Sequence, residues 1–150
     1  MSTETKKARV VLDTNVLISG ILWDGKPADI IRKAENGEIS IVISWFILEE
    51  LEEVLKRPYF ENKFGDMDNK VREISVKLIQ ISEGPITTDS DLDIIEEDVS
   101  DNKILECALE AEVDFLISGD DHLLGLSNYG DIKIIDARSF LEKINEKGEE

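Results

Sequence analysis

The chain is poor in the residues that usually build metal sites through sulfur or nitrogen. Its 150 residues include one cysteine and one histidine. A lone cysteine forms no internal disulfide and no thiolate zinc site, and a lone histidine excludes the usual His-rich centres. Long apolar runs are also missing. The longest, ISIVISWFIL from Ile39 to Leu48, carries two serines and falls far short of the ~20 residues of a membrane helix. The opening MSTETKKARV has no apolar segment, so no secretory signal is expected. Positive charge is scarce: 17 Lys and Arg face 34 Asp and Glu, a net charge of −17. A field of that sign repels phosphate and argues against non-specific nucleic-acid binding. These absences lead us to expect a soluble protein of a reducing compartment, most simply cytoplasmic.

What the chain has in quantity is carboxylate, so a bound metal would be a hard ion held by oxygen. Apolar residues form 41% of the sequence and come in organised runs, as one folded domain requires. We expect a loose arm over residues 1–8, a single domain over 9–145 and a frayed acidic tail over 146–150. The stretch SEGPITTDSD, Ser82 to Asp91, reads as a surface loop.

Four short apolar runs read as strands: Val10 to Leu12, Ile39 to Ile43, Phe115 to Ile117 and Ile132 to Ile135. They are continuous rather than alternating, as in parallel strands buried on both faces. Helical spacing appears in Ala28, Ile31 and Ala34 after Pro27, in Val71, Ile74, Leu78 and Ile81, and in Ala137, Phe140, Leu141 and Ile144 behind a capping Asp136. Alternating strands and helices give an α/β domain with a parallel sheet. Ligands of such sheets bind at the carboxyl ends of the strands.

Acids stand at those ends. Asp13 follows the first strand in VVLDTNV, and Asp120 follows FLIS in SGDDHLL. Each has a plain alternative, helix capping for Asp13 and turn formation for Asp120. Asp101 lies on the apolar stripe of Ile104, Leu105, Ala108 and Leu109, with Glu106 and Glu110 on the opposite side. A carboxylate on a buried face is costly unless capped, paired or metal-bound. Either Asp101 or Ser100 could cap that helix. From Trp45 to Arg57 the apolar face is Ile47, Leu48, Leu51, Val54 and Leu55. Glu49 and Glu53 point away from it, Glu50 and Glu52 flank it, and periodicity does not choose between the flanking pair. Glu53 and Arg57 are spaced as a surface ion pair. If several of these acids converge, a cation must join them, and Mg²⁺ or Mn²⁺ suits all-oxygen ligation. Such ions can activate water and stabilise a phosphodiester under attack.

The blocks VVLDTNVLISGIL, ISWFILEELEEVLKRPYF and DVSDNKILECALEAEVDFLISGDDHLL, in that order, resemble the PIN-domain family. They are most similar to its branch of toxin components of toxin–antitoxin pairs. The resemblance spans about Arg9 to Leu141. It implies a three-layer α/β/α fold with a central, mainly parallel sheet, and metal-dependent cleavage of RNA. Position by position it implies a quartet of Asp13, Glu50, Asp101 and Asp120 as catalytic and Mg²⁺- or Mn²⁺-binding residues, which selects Glu50 over Glu52. Many relatives carry a further acid where this chain has His122. Asp121 could substitute for it, or His122 could itself serve the metal. Thr14, Asn15 and Ser118 are candidate supporting residues that orient water or phosphate, against local capping or strand-ending roles. Lys103 reads as an exposed lysine, and Trp23 and Trp45 as packing residues. The resemblance also implies an antitoxin partner, with a basic segment suited to an acidic cleft. Helix surface near Ile18, Ile21 and Leu22 is a candidate homodimer contact. The competing expectation is a non-catalytic module that binds a protein or metal without cleaving RNA, a reading the acidic charge favours.

Overall fold

A computed structural model describes residues 7–88 and 99–148, with side chains to residue 145. Most of the expected arm, the end of the Ser82–Asp91 stretch and the end of the tail lie outside the described residues. The elements follow the order β1 (Ala8–Leu12), α1 (Thr14–Leu22), α2 (Lys26–Glu35), β2 (Ile39–Ser44), α3 (Trp45–Leu55), α4 (Pro58–Phe64), α5 (Asp68–Ile81) and β3 (Ser82–Ile86). There follow α6 (Val99–Glu110), β4 (Phe115–Ile117), α7 (Asp121–Leu124), β5 (Asn128–Tyr129), β6 (Ile132–Ile135) and α8 (Ala137–Gly148). The first strand begins at Ala8 and the last helix runs to Gly148.

The sheet order is β3-β2-β1-β4-β6-β5, parallel throughout except for the β5–β6 pair. Helices flank it to give the expected α/β/α layers. Val10, Val11 and Leu12 are almost fully buried, because β1 is central and covered on both faces. From β1 the chain winds outward through β2 to β3, then returns to place β4 on β1's other side. The order therefore reverses between β1 and β4, which opens a crevice at their carboxyl ends. Asp13 and Asp120 follow those two strands.

Four expectations need correction. Residues Ser82–Ile86 are not loop but the edge strand β3, paired in parallel with β2. An edge strand needs no apolar alternation and tolerates Pro85, so its sequence looks like loop. Glu106 is not on an open side of its helix, for it is only 1% exposed. Helix α6 packs on β1, β2 and β4 and against α3, which buries Cys107 as well. Burial pushes the Cys107 thiol up to about 11, so it stays neutral and unreactive. Lys103 is half-buried rather than exposed, with its Nζ 3.4 Å from Glu106 Oε2. Trp45, expected to pack, is 51% exposed at the start of α3, where its position precedes the buried face. Trp23 packs only in part: its ring meets Phe60 at a tilt and Phe64 edge-on, yet the residue is 37% exposed. Asp136 caps α8 as expected, accepting the Ser139 N–H at 2.8 Å.

Helices α1 and α2 pack closely because Gly20 lacks a side chain. A Cβ there would stand 2.8 Å from the Pro27 carbonyl oxygen and 2.7 Å from Ile31 Cγ1. Gly20→Ala is therefore expected to destabilise by about 1–3 kcal/mol. Thermal denaturation reads this as a fall of about 2–4 °C per kcal/mol. An unchanged melting temperature would show that the two helices separate freely.

Candidate active site

Asp13 ends β1 and opens α1. Its backbone N–H continues the sheet ladder to Ile117 O at 3.0 Å, which anchors it beside β4. The residue is 4% exposed. Oδ1 accepts the Val16 N–H at 2.9 Å, so the capping alternative is real. Oδ2 accepts from the Ser118 hydroxyl. Burial raises the Asp13 pKa, the Ser118 and Val16 hydrogen bonds oppose that, and the Asp120 charge raises it further. Capping and site geometry coexist here, since one oxygen serves each.

Ser118 does more than end its strand. It is fully buried, and its Oγ also accepts the Asp120 N–H at 2.9 Å. It thus ties the turn after β4 to Asp13. Asp120 caps α7 through Oδ1, which accepts the His122 N–H at 2.8 Å.

Glu50 reaches the same region from α3. Thr14 Oγ1 donates to its Oε1 at 2.5 Å, and the Ser100 hydroxyl donates to Oε2. Glu52 instead accepts from Ser75 on α5 at 3.0 Å. Residues two positions apart on a helix differ by about 200° in direction, so the flanking pair face different neighbours. Ser100 is not the helix cap weighed from sequence. It lies inside the first turn of α6, and its hydroxyl goes to Glu50. Asp101, in the same turn, is 6% exposed.

All four acids, Asp13, Glu50, Asp101 and Asp120, line one cleft. Thr14 is buried in its wall and Asn15 is exposed at its mouth. Arg57 lines it too, the only cation among the described lining residues. It was expected to pair with Glu53, a pair absent from the salt bridges among the described residues. Arg57 lies beyond the end of α3 and caps α4. The turn sets its direction, which helical periodicity has no means to reveal.

Among the described residues a close grouping of ligand-type atoms is formed by Asp101 and Asp120 of the cleft with His122 beside them, all within 4.8 Å of one another. His122 Nδ1 stands 3.6 Å from Asp120 Oδ1 and 3.9 Å from Asp101 Oδ2. Asp13 and Glu50 fall outside this grouping, their oxygens engaged by hydroxyls and an N–H. Asp121, the alternative to His122, is exposed on α7. Oxygen-rich donors with one imidazole fit a hard or borderline divalent ion, and a buried carboxylate with a raised pKa gains from a nearby cation.

The homodimer surface expected near Ile18 is less available than the sequence implied. Ile18 is core, and Ile21 and Leu22 are half-buried against it. Among the described residues no helix is long and apolar enough to cross a membrane.

No curated protein matches the chain. The family model for the PIN domain matches residues 9–122, a span that holds all four acids and His122. PIN domains are typically metal-dependent nucleases, a chemistry in keeping with the acidic grouping in the cleft. On a match over most of its length, and with this sheet order and this acid-lined crevice, the chain belongs to the PIN-domain family.

Proposed function

We propose that the protein is a metal-dependent endoribonuclease, the toxin component of a toxin–antitoxin pair acting in the cytoplasm. The observation that carries this reading is the meeting of Asp13, Glu50, Asp101 and Asp120, from four separate parts of the chain, in one cleft with Arg57. Asp101 and Asp120 would hold Mg²⁺ or Mn²⁺, with Asp13 and Glu50 completing the anionic wall. A bound divalent ion supplies activation of water and stabilisation of charge on the phosphate. It also offsets the repulsion between an acidic protein and RNA.

The remaining steps belong to the side chains. Arg57 meets a phosphate of the substrate and sets its position. Asp13, with its raised proton affinity, is the acid best suited to take a proton from the attacking water. Ser118 holds that carboxylate in place, and Thr14 and Ser100 hold Glu50. Asn15, exposed at the mouth, would donate to the scissile strand. An antitoxin segment rich in Lys or Arg would complement the cleft and block it.

The test is cleavage of a generic single-stranded RNA by purified protein. Cleavage is expected with Mg²⁺ or Mn²⁺ and none with chelator, and Asp101→Asn is expected to be inactive. Ion binding without cleavage would overturn the nuclease reading in favour of a non-catalytic module, the reading that the net charge of −17 favours. Arg57→Ala is expected to raise KM by about tenfold or more with a smaller change in kcat, since a charged hydrogen bond contributes about 1.5–3 kcal/mol. A loss confined to kcat would place Arg57 at the reacting phosphate in the transition state alone.

A further inference from the structure

We propose that His122 is a nitrogen ligand of the cleft's divalent ion and biases the site toward first-row transition ions over Mg²⁺. The inference rests on the metal-dependent reading above and deepens it. His122 is the second residue of the short helix α7, whose N-cap is Asp120, so the turn that places the carboxylate also places the ring. The backbone N–H of His122 is fixed by Asp120 Oδ1 at 2.8 Å. From that anchor the ring lies beside both acids, with Nδ1 3.6 Å from Asp120 Oδ1 and 3.9 Å from Asp101 Oδ2. Around an octahedral ion with bonds of about 2.1 Å, neighbouring ligand atoms stand about 3.0 Å apart and opposite ones about 4.2 Å. The two His122 separations fall between these and all three groups lie within 4.8 Å of one another, so side-chain rotation would bring their atoms to one ion.

The rest of the side chain is free to serve. It is 60% exposed and carries no part of the core. Its neighbour Asp121 is exposed on α7, so the nitrogen donor and not another carboxylate completes the grouping. An imidazole is a softer donor than carboxylate or water, and Mg²⁺ prefers the latter. A site with one such nitrogen therefore discriminates against Mg²⁺ relative to an all-oxygen site.

The chain's single histidine makes the test direct. Protein free of any affinity-tag histidine is loaded with Mn²⁺ and examined by electron spin-echo envelope modulation. Modulation from a directly bound imidazole nitrogen is expected, and it can come from His122 alone. It is expected to vanish in His122→Gln, which should fold normally because the side chain is exposed. By calorimetry the same substitution is expected to weaken Mn²⁺ binding by about tenfold or more and Mg²⁺ binding by less than about threefold. Mn²⁺ bound without nitrogen modulation, or with equal affinity loss for both ions, overturns the role of His122 and leaves the nuclease reading standing. Parent protein that binds neither ion overturns both.

Discussion

Asp13→Asn is expected to lose at least about a hundredfold in RNA cleavage and yet to melt at a higher temperature than the parent in ion-free buffer at pH 7. The two effects have one cause. Asp13 is buried, and burial raises its pKa above the ordinary carboxylate value. The folded state thus holds the proton more tightly than the unfolded chain, and ionising the group penalises folding. Below the ordinary carboxylate range both states are protonated and the penalty is absent. It sets in as pH rises past the ordinary carboxylate value and is complete once pH exceeds the raised one. Asparagine removes the charge and keeps the cap, because Asn accepts the Val16 N–H as well as Asp does. Its amide can donate to the Ser118 oxygen that formerly donated to the carboxylate. Melting curves of both proteins from acid to neutral pH check this. The stability gain of the variant should shrink toward acid, and a variant less stable at pH 7 would mean that the hydrogen bonds outweigh burial. Parent-like cleavage would remove Asp13 from the site.

Saturating Mn²⁺ is the second large effect. An ion that binds only the folded state stabilises it by about 2.7 kcal/mol at a hundred times its dissociation constant. For a chain of this size that is a rise of about 5–10 °C in melting temperature. Part of the gain would come from relief of the repulsion between Asp13 and Asp120 in the cleft. Asp120→Asn should lose most of the shift, because it removes a member of the close grouping. Glu52→Gln, whose carboxylate faces Ser75, should keep it. A melting temperature indifferent to Mn²⁺ and Mg²⁺ would end the case for a bound ion.

The sequence made the sheet and its acids legible for a physical reason. Strands covered on both faces must be apolar throughout, and whatever polar group follows such a strand lies at the crevice. Asp13 and Asp120 were therefore visible before any coordinates. Asp101 was visible as a charge on an apolar stripe. Glu50 was not separable from Glu52 by periodicity, since the choice depends on which neighbours bear hydroxyls: Thr14 and Ser100 on one side, Ser75 on the other. Strand β3 was hidden because an edge strand obeys no burial pattern. Glu106 was misplaced because a helix pressed between sheet and helix buries more than one face. The positions of Arg57 and of the His122 ring depend on turn geometry, which no helical or strand period encodes.

The register of β1 against β4 has one more consequence. Leu12 pairs with Ile117, so the residues that follow each strand emerge side by side. Hydrogen-bonded strands lie about 4.8 Å apart whatever their side chains. The backbone thus acts as a ruler that sets the gap between the first acid and the last turn. Insertions and deletions in the outer connections can accumulate over evolutionary time without respacing those two groups, and a lineage can drift far in composition while this interval stays constant.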